Sequence, residues 1–162
     1  MTTVHKLDDD FYVDTYTLIA IHSSLDSYRL AYFLNRSLDV QLKRLQYDLK
    51  LGEGSEFSLY EAYDRSTEVL WNLLTNKCGV TVVHEGGIPD MFGTPGSITY
   101  SYVLPEFPKV DHLLKIDDGE GSFSKAQEVI RIIKQIPQVI TAYELDIDQL
   151  KSKNNLIFLT NA

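Results

Sequence analysis

Residues Tyr16 to Ile21 read Tyr-Thr-Leu-Ile-Ala-Ile, and no other run constrains the fold as much. At the two-residue repeat of a strand, Tyr16, Leu18 and Ala20 fall on one face and Thr17, Ile19 and Ile21 on the other. Both faces are apolar, so the strand belongs in the middle of a sheet.

The segments that follow supply the rest of that sheet. Ser23 or Ser24 offers a helix N-cap, with Asp26 in the first turn, and the spacing predicts a helix to about Leu38 that turns Tyr28, Ala31, Tyr32 and Leu38 towards a core. From Gln41 to Leu51, Leu45, Tyr47, Leu49 and Leu51 alternate with Arg44, Gln46, Asp48 and Lys50, the pattern of a strand with one wet face. Strands around Phe57 to Tyr63 and Val69 to Leu73 follow after short polar breaks, which makes an antiparallel meander. Residues 79–97 carry Gly79, Gly86, Gly87, Pro89, Gly93, Pro95 and Gly96, and read as a glycine-rich loop, at most opened by a short strand from Val80 to Val83. Strands at Ile98 to Leu104 and His112 to Ile116 come next. Ser124 and Gln127 then form a capping-box pattern ahead of Ala126, Val129, Ile130, Ile133 and Ile136 on one helical face, and Pro137 stops that helix. Val139 to Ile147 is a strand, and Leu156 to Leu159 a short last one.

Two β-α-β units flanking a meander predict an α+β fold: a two-layer sandwich of one mixed, mainly antiparallel sheet with two main helices on one face. A chain of 162 residues fits one domain over 1–162, with residues 1–11 as a flexible start. The second sheet face then needs a cover. Ten tyrosines suggest aromatic residues there, and a partner or a second copy of the chain, a homodimer, would meet that face or the loop draped over it.

The net charge of −8 disfavours direct nucleic-acid binding, which rests on displacing counterions with Lys and Arg; a local basic patch at Lys43, Arg44 and Lys50 is the exception to weigh. No apolar run approaches the roughly 20 residues of a membrane span, so no membrane insertion is expected. Cys78 is the only cysteine and Met1 to Asp10 lacks the pattern of a secretory signal, so the cytoplasm is the expected location. His5, His22, His84 and His112 have no zinc-helix spacing, and no stretch matches a calcium loop, dinucleotide fingerprint or P-loop. No metal and no cofactor are expected.

Nine residues, Leu104-Pro105-Glu106-Phe107-Pro108-Lys109-Val110-Asp111-His112, resemble the signature of the IPExxxVDY family. Pro105, Glu106, Val110 and Asp111 match it, while Leu104 stands for its isoleucine and His112 for its tyrosine. Ile21 to Tyr32 also looks like that family's N-terminal region. The resemblance implies a small intracellular bacterial protein of a family with no assigned activity.

Glu106 or Asp111 beside His112 could orient its imidazole for acid–base work, but Pro105 and Pro108 restrict the backbone here, and a carboxylate in such a turn more commonly accepts nearby backbone N–H groups that hold the turn. Pro105, Glu106, Val110, Asp111 and His112 are therefore read as a structural or docking element. His22, with Tyr28 and Arg29, is a secondary site at the end of the first strand. Ile88, Met91 and Phe92 make the glycine-rich loop a candidate binding segment. No coherent catalytic set emerges. The residues favour a non-catalytic binding or adaptor protein with a protein partner; the alternative is an enzyme or small-ligand binder built on His22, Glu106, Asp111 and His112. A third reading is a component of an RNA-handling assembly, bound through protein.

Overall fold

The computed structural model describes residues 15–82 and 96–158. Its centre is a six-stranded sheet built on β1 (Tyr16–Ser23), the strand that is apolar on both faces. The helix α1 (Ser27–Leu38) and two short strands, β2 (Lys43–Arg44) and β3 (Leu49–Lys50), come next. They precede β4 (Glu56–Phe57), β5 (Leu59–Asp64), β6 (Val69–Thr75) and β7 (Lys77–Val82). After the segment 83–95 come β8 (Ser97–Tyr102), β9 (His112–Asp117), α2 (Ala126–Ile133) and β10 (Val139–Leu145). The large sheet has the order β10-β1-β9-β6-β5-β2, and every pairing in it is antiparallel. The pairs β3–β4 and β7–β8 form two separate ribbons.

Because β9 and β10 both pair antiparallel with β1, they run parallel to each other on either side of it, and α2 is the crossover between them. Both helices pack on one face. Leu30, Ala31 and Leu34 of α1 join Val129, Ile130 and Ile133 of α2 over Ile19, Ile21, Trp71, Leu73, Leu114 and Ile116. Each fully buried aliphatic side chain there contributes about 1.5–3 kcal/mol of transfer free energy. The sheet expected to be mixed is antiparallel in every described pairing, because β9 and β10 are separated by β1. The α+β expectation, with both main helices on one face of the sheet, holds, as does the central place of β1.

Several local expectations do not. Tyr28 and Tyr32 are 59% and 58% exposed, so α1 buries a stripe one step round from the predicted one. Asp26, not a serine, occupies its N-cap, and makes no side-chain cap. Ser23 Oγ instead receives the Leu25 N–H at 3.1 Å and donates to the Gln138 carbonyl at 2.9 Å, tying the end of β1 to the start of β10. Ser124 likewise gives way to Lys125 as the residue preceding α2. The segment 41–51 is two two-residue strands in different sheets rather than one strand. Gly79–Val82 and Ser97 belong to the β7–β8 ribbon, so 79–97 is not loop throughout and opens with a strand, as the alternative from Val80 to Val83 had it. The short last strand expected from Leu156 to Leu159 is not seen among the described residues: Leu156 ends a 3-10 turn (Lys153–Leu156), Ile157 and Phe158 are not in a strand, and Leu159 lies outside the described residues.

The second sheet face is covered from within the chain. Leu18, Ala20, Leu74, Leu113 and Leu145 pack beneath Val103, Leu104 and Val110, and beneath Leu150 and Leu156 of the C-terminal segment. Part of this cover is aromatic as expected, since Tyr16 and Phe57 are buried in the cluster and Phe107 and Phe158 pack against it, but most tyrosines lie elsewhere: Tyr28, Tyr32, Tyr63, Tyr100 and Tyr143 are exposed on α1, β5, β8 and β10, and Tyr60 is buried on the helix side. Aliphatic side chains, which have no hydroxyl to satisfy, fill the rest of the space.

Candidate functional site

The signature loop lies between β8 and β9, and its central partner is a residue outside it. Asn76, fully buried between β6 and β7, accepts the Leu104 N–H at Oδ1 (2.8 Å) and donates through Nδ2 to the carbonyls of Phe107 (2.9 Å) and Val110 (3.0 Å). Its own N–H donates to the Asp111 carbonyl at 2.9 Å and its carbonyl accepts the Val103 N–H at 2.9 Å. A buried polar side chain has to satisfy its donors and acceptors, and this one does so by fixing both ends of the loop. Its sequence signal is slight: one turn-favouring residue that interrupts a strand run.

From this anchor the signature residues reach outward to three other segments. Glu106 receives the N–H groups of Lys151 (3.1 Å) and Ser152 (3.0 Å) on Oε1, and the Ser152 hydroxyl (2.9 Å) on Oε2, so it pins the C-terminal segment. Desolvation pushes its carboxyl up, but the N–H groups of Glu106, Ser152 and Lys151 and the Ser152 hydroxyl outweigh that and hold it below the usual range. Asp111 accepts the Ser23 N–H at 2.8 Å and donates its own N–H to the Ile21 carbonyl at 3.2 Å, which joins the loop to the end of β1. Val110 is buried in the second-face core. Pro105 is exposed and its neighbours form consecutive turns, with Phe107 N–H to the Leu104 carbonyl and Val110 N–H to the Phe107 carbonyl.

His112 is buried at the start of β9 and its Nε2 donates to the Leu25 carbonyl at 2.9 Å, just ahead of α1. That bond fixes the Nε2–H tautomer, since a carbonyl only accepts. Burial pushes its pKa down, against the Leu25 carbonyl and the charges of Asp111 and Asp26, so the ring is held neutral. Nδ1 is buried with no hydrogen-bond partner.

His22 does not join this group. In β1 it follows Ile21, which pairs directly with His112 on the helix face, so the His22 side chain emerges on the opposite face. There it lies over Tyr143 of β10, with ring centroids 5.6 Å apart and Nε2 3.0 Å from the hydroxyl. None of its hydrogen bonds reaches Glu106, Asp111 or His112. Arg29, like Tyr28, is exposed on α1. Ile88, Met91 and Phe92 lie outside the described residues. Two of the basic trio are paired, Arg44 with Asp48 and Lys50 with Glu56 at 3.3 Å, and Lys43 is exposed on β2.

The β1–β10 pairing contains an irregularity. His22 pairs with Thr141 and Ser23 with Val139, so Ile140 is an extra residue between them. A bulge of this kind turns the extra side chain out of the ladder, and Ile140 is 79% exposed. β10 is also the last strand of the sheet, bonded to β1 on one side only among the described residues.

Among the described residues no three His, Cys, Asp or Glu side chains are grouped to hold a metal ion, and no helix is long and apolar enough to cross a membrane. No protein-family model matches the sequence, and no curated protein shows significant similarity to it.

Proposed function

We propose that this chain is a non-catalytic binding protein of the cytoplasm that docks a protein partner along the open edge of β10. One observation carries the reading: a bulge thrusts the apolar Ile140 into solvent on a seven-residue edge strand. Edge strands are normally blunted by brevity or charge, as the two-residue β2 with Lys43 and Arg44 is at the other end of the sheet. β10 offers an extended backbone to which a partner strand can add, with Ile140 and Tyr143 as side-chain anchors beside it. The stacked His22 belongs to this surface rather than to the signature.

In this reading the signature buttresses the fold. Glu106, Asp111 and His112 are each engaged with backbone groups of other segments. Membership of the IPExxxVDY family, proposed on Pro105, Glu106, Val110 and Asp111, fits such a role, because a signature that joins several segments is a requirement of the fold.

The test is affinity purification from the native cytoplasm with wild type, Ile140→Lys and Glu106→Gln. A stoichiometric partner lost with Ile140→Lys and kept by folded Glu106→Gln supports edge docking. Equal capture by all three, or turnover of a small metabolite with no partner retained, rejects it.

A further inference from the structure

On the helix side of the sheet, away from both the signature and the β10 edge, a cleft of about 500 Å³ opens between the last turn of α1, the β5–β6 turn and the first turns of α2. That volume lies within the range of sites that hold small organic molecules, roughly 300–1,000 Å³. Trp71 and Phe123 line it, edge to face at 5.6 Å, together with Leu38 and Val129. Its lining therefore suits an apolar body.

The charged lining is unbalanced. Asp39, Asp64 and Glu128 face a single Lys125. The hydroxyls of Ser66 and Thr67, with the Ser66 N–H, lower the Asp64 carboxyl to about 2, so it stays ionised at any physiological pH. Ser37 and Leu38 bring the C-terminal end of a 12-residue helix to the same wall, and that end of a helix carries partial negative charge. Asp39 sits in the left-handed conformation at its C-cap, with φ of 54°, which holds it at the mouth of the cleft.

We infer that this cleft binds a small organic cation, an ammonium or guanidinium group carried on an aromatic or aliphatic body. The body lies against Trp71 and Phe123, and the cationic end meets Asp39, Asp64 and Glu128, where an indole also attracts a cation through its ring face. An anion of the same shape meets like charge and is rejected.

Trp71 is the only tryptophan in the chain, so its emission and its indole N–H resonance report this cleft and no other place. Titration with phenylethylamine should give a saturable change in both signals. Phenylpropionate, close in shape and opposite in charge, should bind at least about tenfold more weakly, and added salt should weaken the amine. Asp39→Asn with Glu128→Gln should weaken the amine by about tenfold while leaving the far-UV spectrum unchanged, since Asn tolerates the left-handed conformation. If that pair does not fold, Glu128→Gln alone, an exposed position on α2, carries the comparison with a several-fold loss. No saturable change with the amine overturns the inference. So does equal binding of phenylpropionate, or an amine affinity that the folded carboxamide variants leave unchanged.

Discussion

Replacing Asn76 with Ala removes the hub of the signature loop. Its side chain makes three hydrogen bonds, to the Leu104 N–H and to the carbonyls of Phe107 and Val110, in a site with no solvent exposure. The Phe107 carbonyl keeps the Val110 N–H as a second donor, so the lasting damage falls on the Leu104 N–H and the Val110 carbonyl. Two buried groups left without partners cost about 1–3 kcal/mol each, or about 2–6 kcal/mol together. Against a total stability of about 5–15 kcal/mol, that is a large fraction. Urea unfolding followed by Trp71 emission and far-UV circular dichroism measures the loss. Asn76→Asp sharpens the test, because a carboxylate there faces two carbonyls and its folded-state pKa rises. The stability of Asn76→Asp is then highest below the unfolded carboxyl value and falls as pH rises through the folded one. A loss under about 1 kcal/mol for Asn76→Ala, or an Asn76→Asp variant with no such pH dependence, refutes the hub.

Other predictions follow from the same contacts. Glu106 has a folded pKa below its ordinary 4.5, so its contribution is complete above that value and is lost as pH falls through the folded one; Glu106→Gln should cost about 1 kcal/mol at neutral pH and flatten this acid-side loss in urea midpoints. His112, held neutral with a pKa below 6.5, makes the wild type lose stability as pH falls below 6.5, and His112→Gln, which keeps a donor for the Leu25 carbonyl, should remove that slope. Gln138 is exposed at φ of 67°, and Gln138→Gly should raise the unfolding free energy by about 0.5–1 kcal/mol in the same titration. Ile140→Lys, at a mostly exposed bulge, should leave the urea midpoint within about 0.5 kcal/mol of wild type.

How legible each part was depends on the range of the interaction that fixes it. The central strand and α2 could be read because their burial is written in local periods, two for Tyr16 to Ile21 and 3.6 for Val129, Ile130 and Ile133. The spacing in α1 turns Tyr28, Ala31, Tyr32 and Leu38 inward, whereas burial goes to Leu30, Ala31 and Leu34, which strand no hydroxyl. The alternation from Leu45 to Leu51 looked like one strand because period alone does not report where a chain leaves one sheet for another. The cover of the second face was hidden for a different reason: it depends on pairs such as Asn76 with Leu104 and Glu106 with Ser152, 28 and 46 residues apart. Turn chemistry indicates that Glu106 and Asp111 accept backbone N–H groups but points to nearby donors, whereas Lys151, Ser152 and Ser23 lie 45, 46 and 88 residues away and join the turn to other segments. The bulge at Ile140 left no mark on an apolar strand pattern, because one extra residue is visible only against its partner strand.

The central claim is that the signature holds the fold while docking takes place elsewhere, and the Glu106→Gln, Asp111→Asn double variant tests it when its urea midpoint and its partner capture are measured side by side. The account predicts a lower midpoint with capture by the folded protein equal to wild type. An unchanged midpoint with capture abolished would make the signature the interface itself and contradict the account.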